Sequence, residues 1–556
     1  MVLNKIFKDN KIFIWILKKS KSEISKILIL TICNILYALS MTSFALLSKE
    51  ILDGVMYKNK ELIFKYSFFL FALIILQFIL KFFINITNEY ITSKLSMKYR
   101  RELFSKLLEK EYSEVSQFHS SELLNRMYSD ISIVTNEIIL IFPEFINLGV
   151  RLICALTILI SFNVNFLYLF LVAGIFIFAA TRVLRNKLKL LHKEVQEKDG
   201  KTRAFFQEIL EKLWIIKIFS RDRYIISKGE KLQEEHLTSI LKRRNLSVTA
   251  NSGFFLIFNL VYLFTVFWGS LNILEGKMTY GTLIAILQLV GQIQFPLANL
   301  SGFIPRIYKM VASAERVMEL ENLTSEKELN KISETSFEHL KIENLTFYHK
   351  EKEILSDVNL SIKKGDIISL KGNSGGGKTT LFLLLLGIYS PNKGKITIYD
   401  NMNMSFNPGK ESRKIFSYVP QGNQLFSGTI RENISLFNSE LSLTEIKKAA
   451  EIACAAEFIE KLPLGYETPI GQNGFGLSEG QGQRIAIARG LLTGAEFLLL
   501  DEATSALDEE TEAKVLSNIE NLKNKTCIIV THGKAALKIC NKHLYLKEKN
   551  ILWEKN

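Results

Sequence analysis

The stretch Gly365–Gly387, "GDIISLKGNSGGGKTTLFLLLLG", decides the fold of the C-terminal half of the chain. The segment Ile367–Leu370 is typical of a buried strand, a glycine-rich turn follows it, and the apolar run after Lys378 is typical of a helix. A glycine-rich turn between a strand and a helix allows backbone N–H groups to surround phosphate. The spacing G-x-x-x-x-G-K-T over Gly372–Thr379 therefore predicts a nucleotide phosphate site.

The residues of this loop have distinct predicted tasks. Lys378 is expected to reach the β- and γ-phosphates of ATP, and the Thr379 hydroxyl is expected to bind Mg²⁺. The predicted nucleotide-binding residues of the loop are Gly372, Asn373, Ser374, Gly375, Gly376, Gly377, Lys378, Thr379 and Thr380.

Two further apolar strands are predicted to end beside this loop. The stretch "FLLLDE" ends in Asp501, placed to steady the Mg²⁺ shell, and Glu502, placed to act as base on the attacking water. Two carboxylates at a strand end are often simply solvated, but here they follow a fully apolar strand. The stretch "TCIIVTH" ends in His532, which we expect near the γ-phosphate, although a lone histidine is more often structural.

The stretch Leu477–Gly490, "LSEGQGQRIAIARG", is a second candidate anion site. A small Ser/Gly turn at a helix N-terminus attracts anions through free N–H groups and the helix dipole. This turn has no lysine of its own, so it forms only part of a phosphate site. A local helix cap by Ser478 explains the serine but not Gly480 and Gln481.

The first three hundred residues read as a bundle of membrane helices. Each of six apolar runs is close to the ~20 residues that a bilayer crossing needs, and six such runs make buried soluble helices a poor alternative. The predicted spans are Ile27–Leu47, Tyr66–Ile86, Ile138–Ile160, Phe166–Val183, Phe254–Leu274 and Thr279–Ile304.

The net charge of +14 fits a membrane protein better than a nucleic-acid-binding protein. The basic residues crowd Lys5–Lys26, Lys94–Lys110 and Arg182–Arg244, which flank the apolar runs. Basic residues collect in cytoplasmic loops, so we expect the long connections and both termini inside the cell and no nucleic-acid partner. The five cysteines form no C-x-x-C pair, which disfavours a disulfide framework or a zinc site.

Some polar residues within the predicted spans have two interpretations. Glu144 and Arg151 share one face of the third span and either tie it to a neighbouring helix or contact a substrate. Gln288 and Gln292 either line a translocation path or bond to other helices, and Pro296 beyond them is a helix breaker.

Together these motifs resemble the ATP-binding cassette (ABC) exporters, and the resemblance covers essentially the whole chain. It implies a multi-domain half-transporter, with an all-α six-helix transmembrane domain followed by a cytoplasmic α/β P-loop ATPase domain. The expected parts are an amphipathic elbow segment (1–26), a transmembrane domain with two long cytoplasmic loops (27–315), a linker (316–336) and a nucleotide-binding domain (337–556).

The resemblance also assigns roles to residues. Gln421, in "YVPQ", resembles the glutamine that bridges Mg²⁺, water and the membrane domain, so it joins Thr379 and Asp501 at the metal and Glu502 and His532 in catalysis. In this family two nucleotide domains pair head to tail.

In such a head-to-tail pair, each ATP lies between the phosphate loop of one chain and the signature turn of its partner, which in this sequence is Ser478–Gln481. By that resemblance, Ser478, Gly480 and Gln481 serve the other chain's γ-phosphate, and Asp508 ends the D-loop.

Several residues depart from the family pattern. Glu479 stands where the signature usually has glycine, and Gln472 stands where a glutamate often contacts the partner's membrane domain. The adenine-stacking residue is either Tyr348 or, in an alignment shifted by one residue, His349, and we favour Tyr348 because a phenol stacks in any protonation state.

Short coupling helices are expected near Gln117–Leu124 and Arg203–Leu210. Phe205 and Phe206 are expected either to dock into the nucleotide domains or to pack within the helix pair of their own loop.

The expected function is ATP-driven export of a hydrophobic or amphipathic substrate (drug, lipid or peptide) by alternating access, in a bacterial inner membrane. The alternatives are an ATP-gated channel and one half of a heterodimeric exporter. Because none of the catalytic residues is lost from this chain, we expect a homodimer.

Overall fold

The structure is a computed structural model that describes residues 10–162, 165–326, 336–373, 375–422, 424–471, 474, 476–522, 525–531 and 533–554. The chain divides into two compact units. Unit 1 contains residues 1–103 and 123–319, and unit 2 contains residues 104–122 and 320–556.

The N-terminal half is built from helices, several of them far longer than a bilayer crossing requires. They are Asn10–Ser20 (α1), Ile24–Met56 (α2), Lys60–Leu108 (α3), Tyr112–Val115 (α4), Ser120–Asn125 (α5), Ile131–Phe162 (α6), Asn165–Glu211 (α7), Leu213–Phe219 (α8), Asp222–Leu274 (α9) and Tyr280–Glu321 (α10), with a π-helical turn over Arg126–Asp130.

The apolar runs found in the sequence lie within these helices. Among the described residues, four helical segments are long and apolar enough to cross a membrane: Lys11–Met56, Lys60–Leu108, Ser120–Phe162 and Asp222–Leu274. The fourth and sixth expected spans lie in α7 and α10, and many of their side chains fall outside the described residues.

Two details of the helices differ from the sequence prediction. Pro296 does not break its helix but lies inside α10, as Pro305 does. In membranes, neighbouring groups satisfy the backbone atoms that proline releases, so the helix continues. In the second long loop, Arg203–Leu210 is not a separate short helix but the end of α7, and the short helix at the reversal is α8.

Phe205 and Phe206 pack within the helix pair formed by α7 and α9. A Cβ atom added at Gly229 of α9 would lie 3.4 Å from Phe206 Cε1 and 3.6 Å from Phe205 Cε1. Lys228 lies over the Phe205 ring, 5.4 Å from its centroid. Of the two expected roles, these contacts correspond to packing within the loop itself.

Two polar side chains that the sequence analysis selected, Glu144 and Gln292, bind neighbouring helices of unit 1. Glu144 accepts a hydrogen bond from Arg306 Nη1 at 2.8 Å, and Arg306 Nε donates to Glu137 at 2.8 Å. Gln292 is 9% exposed and donates to the Met41 carbonyl at 2.6 Å. Gln292 therefore acts as an interhelical hydrogen-bond donor.

Unit 2 contains two main sheets. The first is antiparallel, in the order β2-β1-β4-β5, with β1 Phe337–His349, β2 Lys352–Lys363, β4 Lys393–Asp400 and β5 Ser405–Phe406. The second has the order β12-β11-β3-β10-β9-β6, with β3 Ile367–Gly372, β6 Phe416–Val419, β9 Phe497–Asp501, β10 Thr526–Val530, β11 Lys542–Lys547 and β12 Asn550–Trp553. Strands β11, β3, β10, β9 and β6 are parallel neighbours, and β12 is antiparallel at one edge.

A buried apolar core holds the strands and helices of unit 2 together. Strands β9 and β10 are buried at every position, as expected for parallel strands covered on both faces. The helices are Lys378–Leu385 (α11), Ile430–Ser435 (α12), Leu443–Ile452 (α13), Ala456–Glu460 (α14), Glu479–Leu492 (α15), Glu509–Glu520 (α16) and Lys534–Ile539 (α17), and a two-stranded ribbon joins β7 (Gly428–Thr429) and β8 (Pro469–Ile470).

The reversal of the first long loop belongs to unit 2. Helices α4 and α5 flank a turn, where the sequence predicted one helix near Gln117–Leu124. Glu114 accepts hydrogen bonds from the backbone N–H and hydroxyl of Thr324 at 2.6 and 2.8 Å. The Tyr112 and Tyr389 rings lie 6.4 Å apart.

Candidate functional site

The phosphate loop has a backbone that only glycine adopts without strain. Gly377, the N-cap of α11, has a φ of +112°, and a Cβ atom there would lie 2.9 Å from Ile354 Cγ2. A side chain at this position would therefore meet both conformational strain and a packed neighbour. The loop follows the carboxyl end of β3, the edge of a parallel sheet where ligands bind in α/β folds.

Lys378 points back into this loop. Its side chain is buried, and Nζ donates a hydrogen bond to the Gly372 carbonyl at 2.7 Å. The same nitrogen lies 3.8 Å from Glu502 Oε1. A cavity of 170 Å³ opens here, lined by Ile354, Gly375, Gly377, Lys378, Thr379, Thr380, Gln421, Asp501 and Glu502.

Asp501 is the most buried carboxylate at this cavity, with 2% of its surface exposed. Its Oδ2 atom accepts hydrogen bonds from Thr379 Oγ1 at 2.7 Å and from the Tyr418 hydroxyl at 3.3 Å. Burial raises the pKa of Asp501, while these two donors act in the opposite direction. Burial also raises the pKa of Tyr418 far above its ordinary value, so its phenol stays protonated and donates.

Glu502 is held beside Asp501 in an unusual backbone conformation. Its φ is +50°, in the left-handed region that residues other than glycine rarely adopt. Its N–H donates to the Val530 carbonyl at 3.1 Å, and its Oε2 atom accepts a hydrogen bond from Gln421 Nε2 at 2.6 Å. Strain of this kind collects at functional sites. The structure thus brings Gln421 and Glu502 together.

The oxygen atoms at this cavity fit Mg²⁺. That ion is usually bound through one or two carboxylates, retained waters and substrate phosphates. Asp501 and Thr379 provide a carboxylate and a hydroxyl within hydrogen-bond distance of each other. Within the described part of the chain, no group of three or more His, Cys, Asp or Glu side chains could hold a metal alone. Thr379 and Asp501 would hold such an ion together with water and phosphate oxygens.

The second candidate anion site is the N-terminus of α15. The Ser478 hydroxyl accepts from the Gln481 N–H at 3.3 Å, and Gln481 Oε1 accepts from the Ser478 N–H at 3.0 Å. This reciprocal pair is a capping box. The Ser478 hydroxyl hydrogen remains available to donate to an anion.

Gly480 has a packing role within this chain. A Cβ atom there would lie 2.8 Å from the Ala506 carbonyl oxygen. Gln483, which the sequence analysis did not select, accepts from the Ala506 N–H at 3.0 Å and donates to Ser505 Oγ at 3.2 Å. The signature helix is thus fixed to the segment that follows Glu502.

Asp508 and Tyr348, two further predicted residues, have hydrogen-bond partners of their own. Asp508 is the N-cap of α16 and accepts from the Thr511 N–H at 2.9 Å, which lowers the pKa of Asp508. The Tyr348 hydroxyl donates to Glu353 Oε1 at 3.1 Å, and His349 beside it is exposed. Ser374, Gln472 and His532 lie outside the described residues.

Tyr418 is a residue beside the cavity that the sequence analysis missed, and its hydroxyl donates to Asp501 of the cavity wall. It lies in β6, three residues before Gln421, and the register pairs it with Leu499 of β9. The available signal was a tyrosine hydroxyl in the short strand that leads to Gln421.

The fold and the site define a class: a phosphate-loop ATPase domain that follows a domain of membrane-length helices. The family model of the ABC transporter transmembrane region matches residues 27–297, and the ABC transporter family model matches residues 355–505. An uncharacterized ABC transporter ATP-binding protein, YfiB of Bacillus subtilis (strain 168), is 31% identical over 497 residues, which are 89% of this chain and 86% of that protein. The chain belongs to the ABC transporter family and is an ATPase whose hydrolysis is coupled to transport across a membrane.

Two other similarities are informative. An ATP-dependent lipid A-core flippase of Desulfotalea psychrophila is 28% identical, and the match covers 92% of this chain and 90% of the flippase. The structure of a bacterial Atm1-family ABC exporter with ATP bound superimposes with a TM-score of 0.78 at 22% identity, covering 96% of this chain and 94% of the exporter. The second similarity establishes the fold.

Proposed function

We propose that this chain forms a homodimeric exporter that moves a hydrophobic or amphipathic substrate (a drug, lipid or peptide) out of the cytoplasm by alternating access. The observation that carries the proposal is that one chain holds both parts of an ATP site. The Lys378 cavity has a lysine and carboxylates, whereas the exposed turn at Ser478 has a helix N-terminus without a lysine. Two copies in a head-to-tail pair complete two equivalent sites.

Each side chain has a task in this mechanism. Lys378 binds the β- and γ-phosphates, and Gly372–Thr380 surround them with backbone donors. Thr379, Gln421 and Asp501 would hold Mg²⁺, which would supply positive charge to neutralise the phosphates. Glu502, oriented by Gln421, accepts a proton from the attacking water. The adenine ring of ATP stacks on Tyr348, and His532 contacts the γ-phosphate.

The partner chain supplies the rest of each site. Ser478, Gly480 and Gln481 bind the γ-phosphate across the dimer, and Asp508 ends the D-loop beside them. ATP binds the closed pair better than the open pair, so it shifts the population toward closure, and hydrolysis reverses the shift. The proposal also places the transmembrane domain at residues 27–315 and the nucleotide-binding domain at residues 337–556. Both termini are cytoplasmic, and the exporter lies in a bacterial inner membrane.

Bound nucleotide per chain tests the symmetric dimer. Glu502→Gln keeps the side-chain shape and removes the base, so hydrolysis falls by about 10²–10⁴-fold while ATP stays bound. The protein, expressed without another transporter half, should purify as a dimer with one ATP per chain. Glu496→Gln, just before the same strand, is the control and should turn over ATP normally. A monomer, or one trapped ATP per two chains, contradicts the homodimer.

Transport direction and substrate class require sealed vesicles. Uphill, ATP-dependent accumulation supports a pump, and dissipation of a gradient on ATP addition supports the ATP-gated channel instead. A ligand-stimulated ATPase screen across drugs, lipids and peptides then identifies the class of substrate. If Lys378→Ala abolishes the ligand-stimulated ATPase activity, that activity comes from this nucleotide site.

A further inference from the structure

We propose that Tyr418 is a positioning residue for the divalent metal of the ATP site, acting through Asp501. The inference rests on the proposed nucleotide site and extends it to a residue that neither the sequence motifs nor the comparisons assign. The phenol hydroxyl and the Thr379 hydroxyl donate to the same oxygen of Asp501, at 3.3 and 2.7 Å. Two donors on Oδ2 fix the orientation of the carboxylate, which would hold the metal.

The Tyr418 ring is fixed in place by its surroundings. Its strand β6 is hydrogen-bonded to β9, the strand that ends in Asp501. The ring packs edge-on against Phe382 of α11, with centroids 6.1 Å apart and planes at 79°. Helix α11 also carries Thr379, so a single packed unit orients both hydroxyls toward the carboxylate.

Removal of the phenol hydroxyl should therefore change metal binding more than nucleotide binding. Asp501 is almost fully buried, so no water readily replaces the lost donor. A carboxylate with one donor instead of two can rotate away from the geometry that the metal requires. Partners that orient a ligand in this way typically contribute about 10–100-fold in metal affinity.

The test compares nucleotide affinity with and without metal in the full-length protein. A fluorescent ATP analogue is titrated in EDTA and again with Mg²⁺, and the ratio of the two dissociation constants is the metal-dependent gain. In Tyr418→Phe we expect an unchanged dissociation constant in EDTA and a gain reduced about tenfold or more. Tyr418→Met, which fills the space without a hydroxyl, should give the same loss if Tyr418→Phe does not purify as a folded protein.

Tyr466→Phe is the control, because Tyr466 is a buried tyrosine of the same unit whose hydroxyl has no hydrogen-bond partner among the described residues. This control should keep the wild-type dissociation constants in both conditions. An equal loss of affinity in EDTA and in Mg²⁺ would show a purely structural role for Tyr418 and overturn the inference, as would an unchanged gain. Absence of nucleotide binding by the wild type would instead overturn the proposed function.

Discussion

The phosphate loop at Gly372–Thr380 and the signature turn at Ser478–Gln481 both lead into helices, yet they are built differently. The loop encloses a cavity, buries Lys378 and lies beside two carboxylates. The signature turn is exposed and closes only a capping box. In the proposed function, one helix N-terminus forms a complete phosphate site and the other a partial one, according to whether a charged side chain and a strand end accompany it.

The largest expected effect comes from removing the Lys378 side chain, the positive charge that the signature turn lacks. Lys378→Ala removes the cation that meets the β- and γ-phosphates, so ATP hydrolysis should fall by about 10²-fold or more, with weaker nucleotide binding. Lys371→Ala is the control, because Lys371 immediately precedes the loop and pairs with Glu554 at 3.0 Å. Steady-state ATPase rates measure both. Near wild-type hydrolysis by Lys378→Ala would show that the loop is not the catalytic phosphate site.

The next change asks whether the signature turn acts in the partner's site. In the Glu502→Gln background, Ser478→Arg should prevent the closed dimer, because it puts bulk and charge at the other chain's γ-phosphate. Ser442→Arg is the matched control, since Ser442 forms the same capping box at the start of α13 with Glu445. Both variants lose a helix cap, at about 1 kcal/mol. Only Ser478→Arg should lose trapped ATP. Equal retention of ATP in both variants would show that the signature turn serves only as a helix cap.

A third change examines the part of the nucleotide site that would bind adenine. Base–aromatic stacking contributes about 1–3 kcal/mol, so Tyr348→Ala should weaken ATP binding measurably. Tyr348→Phe should keep affinity despite losing the hydrogen bond to Glu353. Titration of a fluorescent ATP analogue measures all variants, with His349→Ala as the neighbouring control. A loss confined to His349→Ala would move the stacking role one residue along β1.

The smallest expected effect concerns Glu479, the first residue of α15 after its cap. A carboxylate there adds negative charge where the partner's phosphate would bind, so Glu479→Gly should favour closure by about 0.3–1 kcal/mol at low salt. The measurement is the ATP concentration at half-maximal dimer closure in the Glu502→Gln background. Glu509→Gly, the first residue of α16 after its cap, should leave that concentration unchanged. A higher concentration for Glu479→Gly would contradict the repulsion.

Sequence patterns predicted the order of parts because the strand–loop–helix motif and the apolar runs depend on local composition. Helix ends in the membrane half were harder to predict. Helix α7 continues past the apolar run through charged residues such as the i,i+4 pairs Glu194–Lys198 and Asp199–Arg203, so hydropathy does not mark its end. The short helix of the second loop was accordingly placed too early.

Within the candidate site, the sequence analysis predicted the residues that belong to known motifs. It missed the residues whose contacts depend on how strands and helices pack together. Tyr418 contacts Asp501 only because β6 pairs with β9, and Gln483 contacts Ala506 only because α15 lies beside that segment. Both contacts join residues far apart in the chain. The contact of Glu144 with Arg306 also joins residues far apart in the chain, and it corresponds to the expected tie to a neighbouring helix.

The left-handed backbone of Glu502 has an evolutionary consequence. A non-glycine residue in this conformation costs on the order of 1–3 kcal/mol, so glycine or asparagine would relax the local strain. Drift toward a more stable domain and drift toward an inactive one therefore point to the same substitutions at this position. In the proposed mechanism, such a substitution would remove the general base together with the backbone strain.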